Sequence, residues 1–204
     1  MISIAAERAR ARSISNVCFE VTDAGTGQFP GGPFDAAVCR WALMFLADLP
    51  TALAGIRAAL VPGGRLAASV VGPPDRYPLV TTVVGAICTA LELPPPPPPP
   101  PPGEPGFFSL SDPDRLRGAL AGAGFAEVSV ELFDIAYQFD TGEQPADWQF
   151  AISAPVNALL AIRPERRAQA RQAVADAAGH YRHPDGTICF PPSQNFYAVG
   201  RNPG

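Results

Sequence analysis

Two residue pairs at the ends of apolar runs could carry chemistry in this chain: Asp23-Ala24, closing NVCFEVTDA, and Arg40-Trp41, closing FDAAVCRW. A carboxylate accepts a hydrogen bond from an exocyclic amine while the following backbone N–H donates to a ring nitrogen, the two contacts that an adenine edge requires. The same carboxylate could equally cap its own loop. Arg40 could pair with an anionic ligand or an Asp. Trp41 reads as a contact residue or as core, since large aromatics are highly buried on average, and Met44 and Phe45 share that ambiguity.

Other chemistries have less support. His180-Tyr181-Arg182-His183 places two imidazoles beside a phenol, with Cys189 nearby. A lone His-x-x-His lacks the ligand number and spacing of a zinc motif, so these read as loop histidines and no metal is expected. Gly25-Thr26-Gly27 precedes a strand instead of joining a strand to a helix, which is not the context of a nucleotide-binding turn. There is no nucleophile elbow, and the chain has no lysine for a phosphate loop. Hydrolase and kinase readings fail on these grounds.

The 204 residues suit one domain, and 47% apolar against 17% charged residues fits a globular chain with a sizeable core. A formal charge of -4 without a Lys/Arg cluster argues against nucleic acid and against a polybasic membrane patch. No run approaches the roughly 20 apolar residues of a membrane span. Cys18, Cys39, Cys88 and Cys189 are far apart, and the first two lie in strand patterns, pointing to a reducing cytoplasm.

The elements that must position these residues follow from the apolar spacing. Ile2, Ala5, Ala6 and Ala9 share one face of a helix. Val17, Phe19 and Val21 alternate as a strand ending at Thr22-Asp23. Phe34 to Cys39 is a strand buried on both faces, as in a parallel sheet. Asp48 and Pro50 start a helix that Pro62-Gly63-Gly64 ends, and Arg65 to Val71 is the next strand. Strand, helix and strand with short connections imply a parallel pair, hence an α/β, doubly wound, mainly parallel sheet. Later elements are helices at Leu79 to Leu91, from Ser111-Asp112-Pro113 to Gly124, at Ala146 to Ser153 and at Pro164 to Ala178. Strands are expected at Val128 to Leu132 with Ile135 to Phe139, at Thr187 to Phe190 and at Phe196 to Gly200. Nine consecutive prolines, Pro94 to Pro102, form a polyproline rod of about 28 Å at ~3.1 Å per residue. Such a rod could be a ligand for an aromatic-grooved partner domain or simply a lengthened exposed loop.

Asn16 to Ala24 and Phe34 to Gly72 together resemble the cofactor half of the class I S-adenosylmethionine-dependent methyltransferases, the ubiquinone/menaquinone-biosynthesis type in particular. The resemblance extends more weakly to the C-terminus and implies a Rossmann-like domain. Residues 1–72 would be the remaining cofactor-binding half, 73–110 a loop, helix and Pro-rich insert, and 111–204 a C-terminal half with substrate-side elements. It implies S-adenosylmethionine as cofactor, with Asp23 and Ala24 at the adenine and Arg40 and Trp41 flanking the methionine and ribose. The Pro73 to Tyr77 loop and the segment from Phe133 to Pro192 would shape the pocket of a small-molecule methyl acceptor. Neither the acceptor nor a general base is named by these residues.

In that family a strand, a Gly-rich turn and a second strand ending in an acidic residue come before this point. The expectation is therefore an N-terminally incomplete, truncated domain, active only weakly or not at all. The alternatives are a catalytically silent remnant completed by a partner subunit, and a proline-rich interaction protein.

Overall fold

The computed structural model describes residues 2–96, 98, 100–101 and 104–204. Its centre is a four-stranded mixed sheet in the order β1-β2-β4-β3: β1 Phe34–Arg40, β2 Leu60–Val71, β3 Ala126–Phe139 and β4 Ile188–Arg201. Two capping features set the helix α2, Leu49–Ala58, between β1 and β2. The Asp48 carboxylate accepts from the Thr51 N–H at 3.0 Å, and Pro50 occupies the first turn. The two strands run parallel, with Cys39 opposite Ala68 and Arg40 opposite Ser69. β2 begins at Leu60 rather than Arg65, because Pro62 to Gly64 lie within the strand: the Gly63 N–H donates to Asn202 O at 2.8 Å.

Two expectations are corrected here. The sheet is mixed: β1 and β2 are parallel, whereas β4 is antiparallel to both β2 and β3. Apolar alternation defines which side of a strand is buried, not which way its neighbour runs, and antiparallel strands need no helical crossover between them. The terminal strand segments merge into single 14-residue strands. The second correction concerns Val17 to Val21, which form no strand. No ladder receives them, and Val21 is 90% exposed. Alternation stabilises a strand only where a sheet neighbour and a packed face await it. This segment instead follows helix α1, Ile2–Ala11, and lines a shallow apolar concavity with it, Val17 and Phe19 beside Ile4 and Ala9.

The helices divide between two apolar clusters. Leu53 and Ile56 of α2, with Leu116 and Leu120 of α4 (Pro113–Gly122), pack on Leu66, Ala68, Val70, Phe196 and Ala198, one face of the sheet. The second cluster joins α3 (Pro78–Ala90), α5 (Gln144–Ile152), α6 (Ala154–Ile162) and α7 (Arg167–Ala178) to Ile188 and Phe190 at the far end of the β3–β4 ladder. Helix α6 was not expected from the sequence; Ser153 caps it and Pro155 sits in its first turn. The whole excursion from Asp140 to Thr187 leaves and re-enters the sheet at one point, where Phe139 pairs with Ile188. The expected polyproline rod falls partly on Pro97, Pro99 and Pro102, outside the described residues; the described prolines of that run carry no helix or strand. Among the described residues, no helix is long and apolar enough to cross a membrane.

Candidate functional site

β1 and β2 are parallel, so their C-terminal ends open on the same side, the position where open α/β sheets hold ligands. Arg40 ends β1, and the chain turns at Trp41, whose φ of 52° lies in the left-handed region. A bulky residue there is strained, and strain of this kind gathers at functional turns. The Trp41 N–H donates to Ser69 O at 2.9 Å, which pins the turn to β2. The Arg40 guanidinium carbon lies 5.6 Å from the indole centroid, a cation–π arrangement. Trp41 Nε1 is buried without a hydrogen-bond partner among the described residues. The Cys39 thiol is pushed up by burial, so it stays protonated and is a packing group rather than a nucleophile.

Asp23 lies on an exposed loop and caps the short 3₁₀ turn Ala24–Thr26: its Oδ1 accepts from the Gly25 N–H at 2.9 Å. The loop is seated on α2 by glycine. A Cβ at Gly55 would collide with the Gly27 carbonyl, and Gly27 itself has φ of 68°. Thus Arg40 and Trp41 stack on each other, while Asp23 and Ala24 belong to a separate loop that α2 supports. No hydrogen bond or ion pair joins Asp23 to Arg40 among the described residues.

Beyond the end of β2, the loop 72–77 leads to Tyr77, which is buried. Its hydroxyl lies 2.9 Å from that of Tyr137 on β3. Burial first, and then this bond, push the Tyr77 phenol well above its ordinary range; the Asn195 carboxamide beside it pulls weakly the other way. Tyr137 is also raised by burial. Phe107 and Phe108 pack edge-on against Tyr77, and Trp148 lies tilted against Tyr137. The Phe107–Phe108 segment is tied down because Met44 O accepts from both the Gly106 N–H and the Ser109 hydroxyl, each at 2.8 Å. Ser193 and Asn195, both 0% exposed, occupy alternate positions of β4 on the same side. Their Oγ and Oδ1 atoms have no partner among the described residues.

The loop 73–77 was marked by its place after a strand, but the pairing of Tyr77 with Tyr137 was invisible without the fold. Asn195 carried a readable signal, the end of a polar Ser193-Gln194-Asn195 stretch inside the final strand. His180 bonds Ala177 O through Nδ1 at 3.0 Å. Among the described residues no group of His, Cys, Asp or Glu side chains is placed to hold a metal ion.

Residues 1–68 match a family model described as a methyltransferase domain, a span that includes Asp23, Ala24, Arg40 and Trp41. No curated protein matches the chain in sequence. Among solved structures, the chain is similar over its full length to the YcgJ protein of Bacillus subtilis, at 16% identity and a TM-score of 0.54, covering 79% of that chain. It is similar over its full length to phosphoethanolamine N-methyltransferase 2 of Haemonchus contortus in complex with S-adenosyl-L-methionine, at 16% identity and a TM-score of 0.52, covering 41% of that chain. The [4+2]-cyclase SpnF is 20% identical with a TM-score of 0.52, and 63% of it is covered. These likenesses, all at 20% identity or below, establish the fold alone, and residues 1–68 are similar to a methyltransferase domain.

Proposed function

We propose that this chain binds S-adenosylmethionine at the open ends of β1 and β2 and serves methyl transfer to a small-molecule acceptor. The observation that carries the reading is the methyltransferase-domain match on residues 1–68, which spans all four candidate cofactor residues. Asp23 and Ala24 would meet the adenine: the second carboxylate oxygen of Asp23 remains free of the loop's own hydrogen bond. Arg40 and Trp41 would flank the methionine and ribose. The unpartnered Trp41 Nε1 fits this role, because a buried donor at the crevice otherwise stays unsatisfied. When bound, the cofactor supplies a methyl group on a sulfonium, and the protein's task is to hold a nucleophile in line with it. The buried Tyr77 and half-buried Tyr137 phenols remain protonated near neutral pH, so they would orient an acceptor by hydrogen bonding instead of removing its proton.

Equilibrium dialysis with S-adenosylmethionine tests the reading. Binding in the millimolar range is expected, since the exposed Asp23 loop and the Arg40-Trp41 turn are all that the reading assigns to the cofactor. Asp23→Ala should weaken it by about tenfold to a hundredfold, the loss of one charge-assisted bond, whereas Asp23→Asn, which keeps the loop cap, should be milder. Affinity unchanged from the parent chain in both variants removes Asp23 from the site.

A second reading is a catalytically silent remnant of the fold. It is favoured by the use of the Asp23 carboxylate as a cap for its own turn. The fold also accommodates other chemistry, as the [4+2]-cyclase shows for itself. A proline-rich interaction protein remains the reading for a chain that binds no S-adenosylmethionine but captures an aromatic-grooved domain through residues 94–102.

A further inference from the structure

Ser193 and Asn195 pose a specific problem. Both sit in a strand whose backbone is held by neighbours: Ser193 is opposite Ile135, and Asn195 is opposite both Val71 and Phe133. Both side chains are fully buried, yet Ser193 Oγ and Asn195 Oδ1 have no partner among the described residues. Buried polar atoms in native proteins are almost always paired, and an orphan in a rigid ladder calls for an external partner.

The missing partner has a definite chemistry. One of the two Asn195 amide N–H groups donates to Ser193 O at 2.9 Å and the carboxamide also lies against the Tyr77 hydroxyl, so the atom of Asn195 left without a partner is Oδ1. The Ser193 hydroxyl can donate or accept. In the Tyr77–Tyr137 pair one hydroxyl donates to the other, which leaves the second O–H proton unassigned. The cluster thus offers an acceptor, a two-way hydroxyl and a donor, and no charge. Around it stand Tyr77, Tyr137, Trp148 and Phe107. The ladder register places Arg40, Ser69, Val71 and Asn195 on one side of the sheet, with Arg40 exposed at its rim. A charged ligand group meeting Asn195 would be buried unpaired, at a large desolvation cost.

We infer that Asn195, Ser193, Tyr77 and Tyr137 form the acceptor-binding subsite, and that it takes an uncharged alcohol or amide presenting an O–H or N–H to Asn195 Oδ1. As an acceptor site this rests on the methyl-transfer reading, but binding itself does not. Tyr137 packs against both apolar clusters, so a ligand reaching the subsite would pass between them. Occupying the subsite requires the aromatic walls to part there.

The test uses the whole chain and four matched probes: cyclohexanol, cyclohexyl methyl ether, cyclohexanecarboxylate and cyclohexylammonium. Binding is followed by NMR through the indole N–H signals of Trp41 and Trp148. Cyclohexanol should shift the Trp148 signal and bind at least about tenfold tighter than the ether, since a buried acceptor left without a donor is costly. The carboxylate and ammonium should bind weakest. Tyr137→Phe should weaken the alcohol severalfold and leave the ether unchanged, and Asn195→Leu should abolish the preference for alcohol over ether. Equal binding of alcohol and ether, preference for a charged probe, or an unmoved Trp148 signal overturns the inference. Parallel dialysis with S-adenosylmethionine keeps the two readings apart: alcohol binding without cofactor binding sinks methyl transfer alone, and the reverse sinks the subsite alone.

Discussion

The Tyr77–Tyr137 pair makes stability depend on pH in a way that its chemistry fixes in sign. Both phenols are raised in the folded state, chiefly by burial, so the folded chain holds these protons more tightly than the unfolded chain. Their contribution is complete below the unfolded phenol value of about 10 and is lost as pH rises above it. Chemical denaturation should therefore show unfolding free energy that is flat with respect to these groups near neutrality and falls beyond about pH 10. Tyr77→Phe should flatten that alkaline fall, and an unaltered profile would show that the phenols ionise freely. At this scale the sequence was uneven in what it disclosed. Arg40 and Trp41 were legible because a strand end marks them, but the left-handed turn at Trp41 was not, since nothing in a Trp codes for positive φ. Asp23 was legible as a carboxylate at a chain turn, and its cap on Gly25 agrees with the alternative that the residues alone left open.

Among the elements, α2 has the most exacting seat. Alanine at position 55 would improve helix propensity by about 1 kcal/mol. The Gly27 backbone occupies the space its Cβ would need, however, and backbone cannot rotate away as a side chain can. The clash should win: Gly55→Ala is expected to destabilise the fold by about 1–3 kcal/mol in urea unfolding and to displace the Asp23 loop. A neutral or stabilising result would mean that the loop yields freely. Elements with local signals were well predicted. The Asp48 cap with Pro50 placed α2, and Asp112 with Pro113 placed α4, because capping acts within a few residues. Strand direction was misjudged, because the pairing of β4 with β2 joins Asn195 to Val71, far apart in sequence. Val17 to Val21 failed for the related reason that a strand exists only through its neighbour.

Across the whole molecule, two apolar clusters share Tyr137, and they should not melt as one body. Leu79 of α3 is completely buried in the helical cluster, and Leu53 of α2 in the sheet cluster. Either Leu→Ala change should cost about 2–5 kcal/mol. Hydrogen exchange separates them: Leu79→Ala should lower protection in α3 and α5 to α7 while β2 and β4 remain protected, and Leu53→Ala should expose the sheet. Uniform loss in both variants would show one cooperative unit. The edge strand β1 adds a hazard, because Val38 is 83% exposed on it, and an uncovered edge invites further pairing.

The pairing of Phe139 with Ile188 makes the helical excursion between β3 and β4 an exchangeable module. Its two ends are anchored as neighbours on one ladder, so its length is free of demand from the sheet, while its contents must still cover Ile188, Phe190 and α3. Closing a longer or shorter loop across that gap changes the free energy only logarithmically with its length. Recombination at residues 140 and 187 could therefore graft a different helical cover onto an unchanged set of strands.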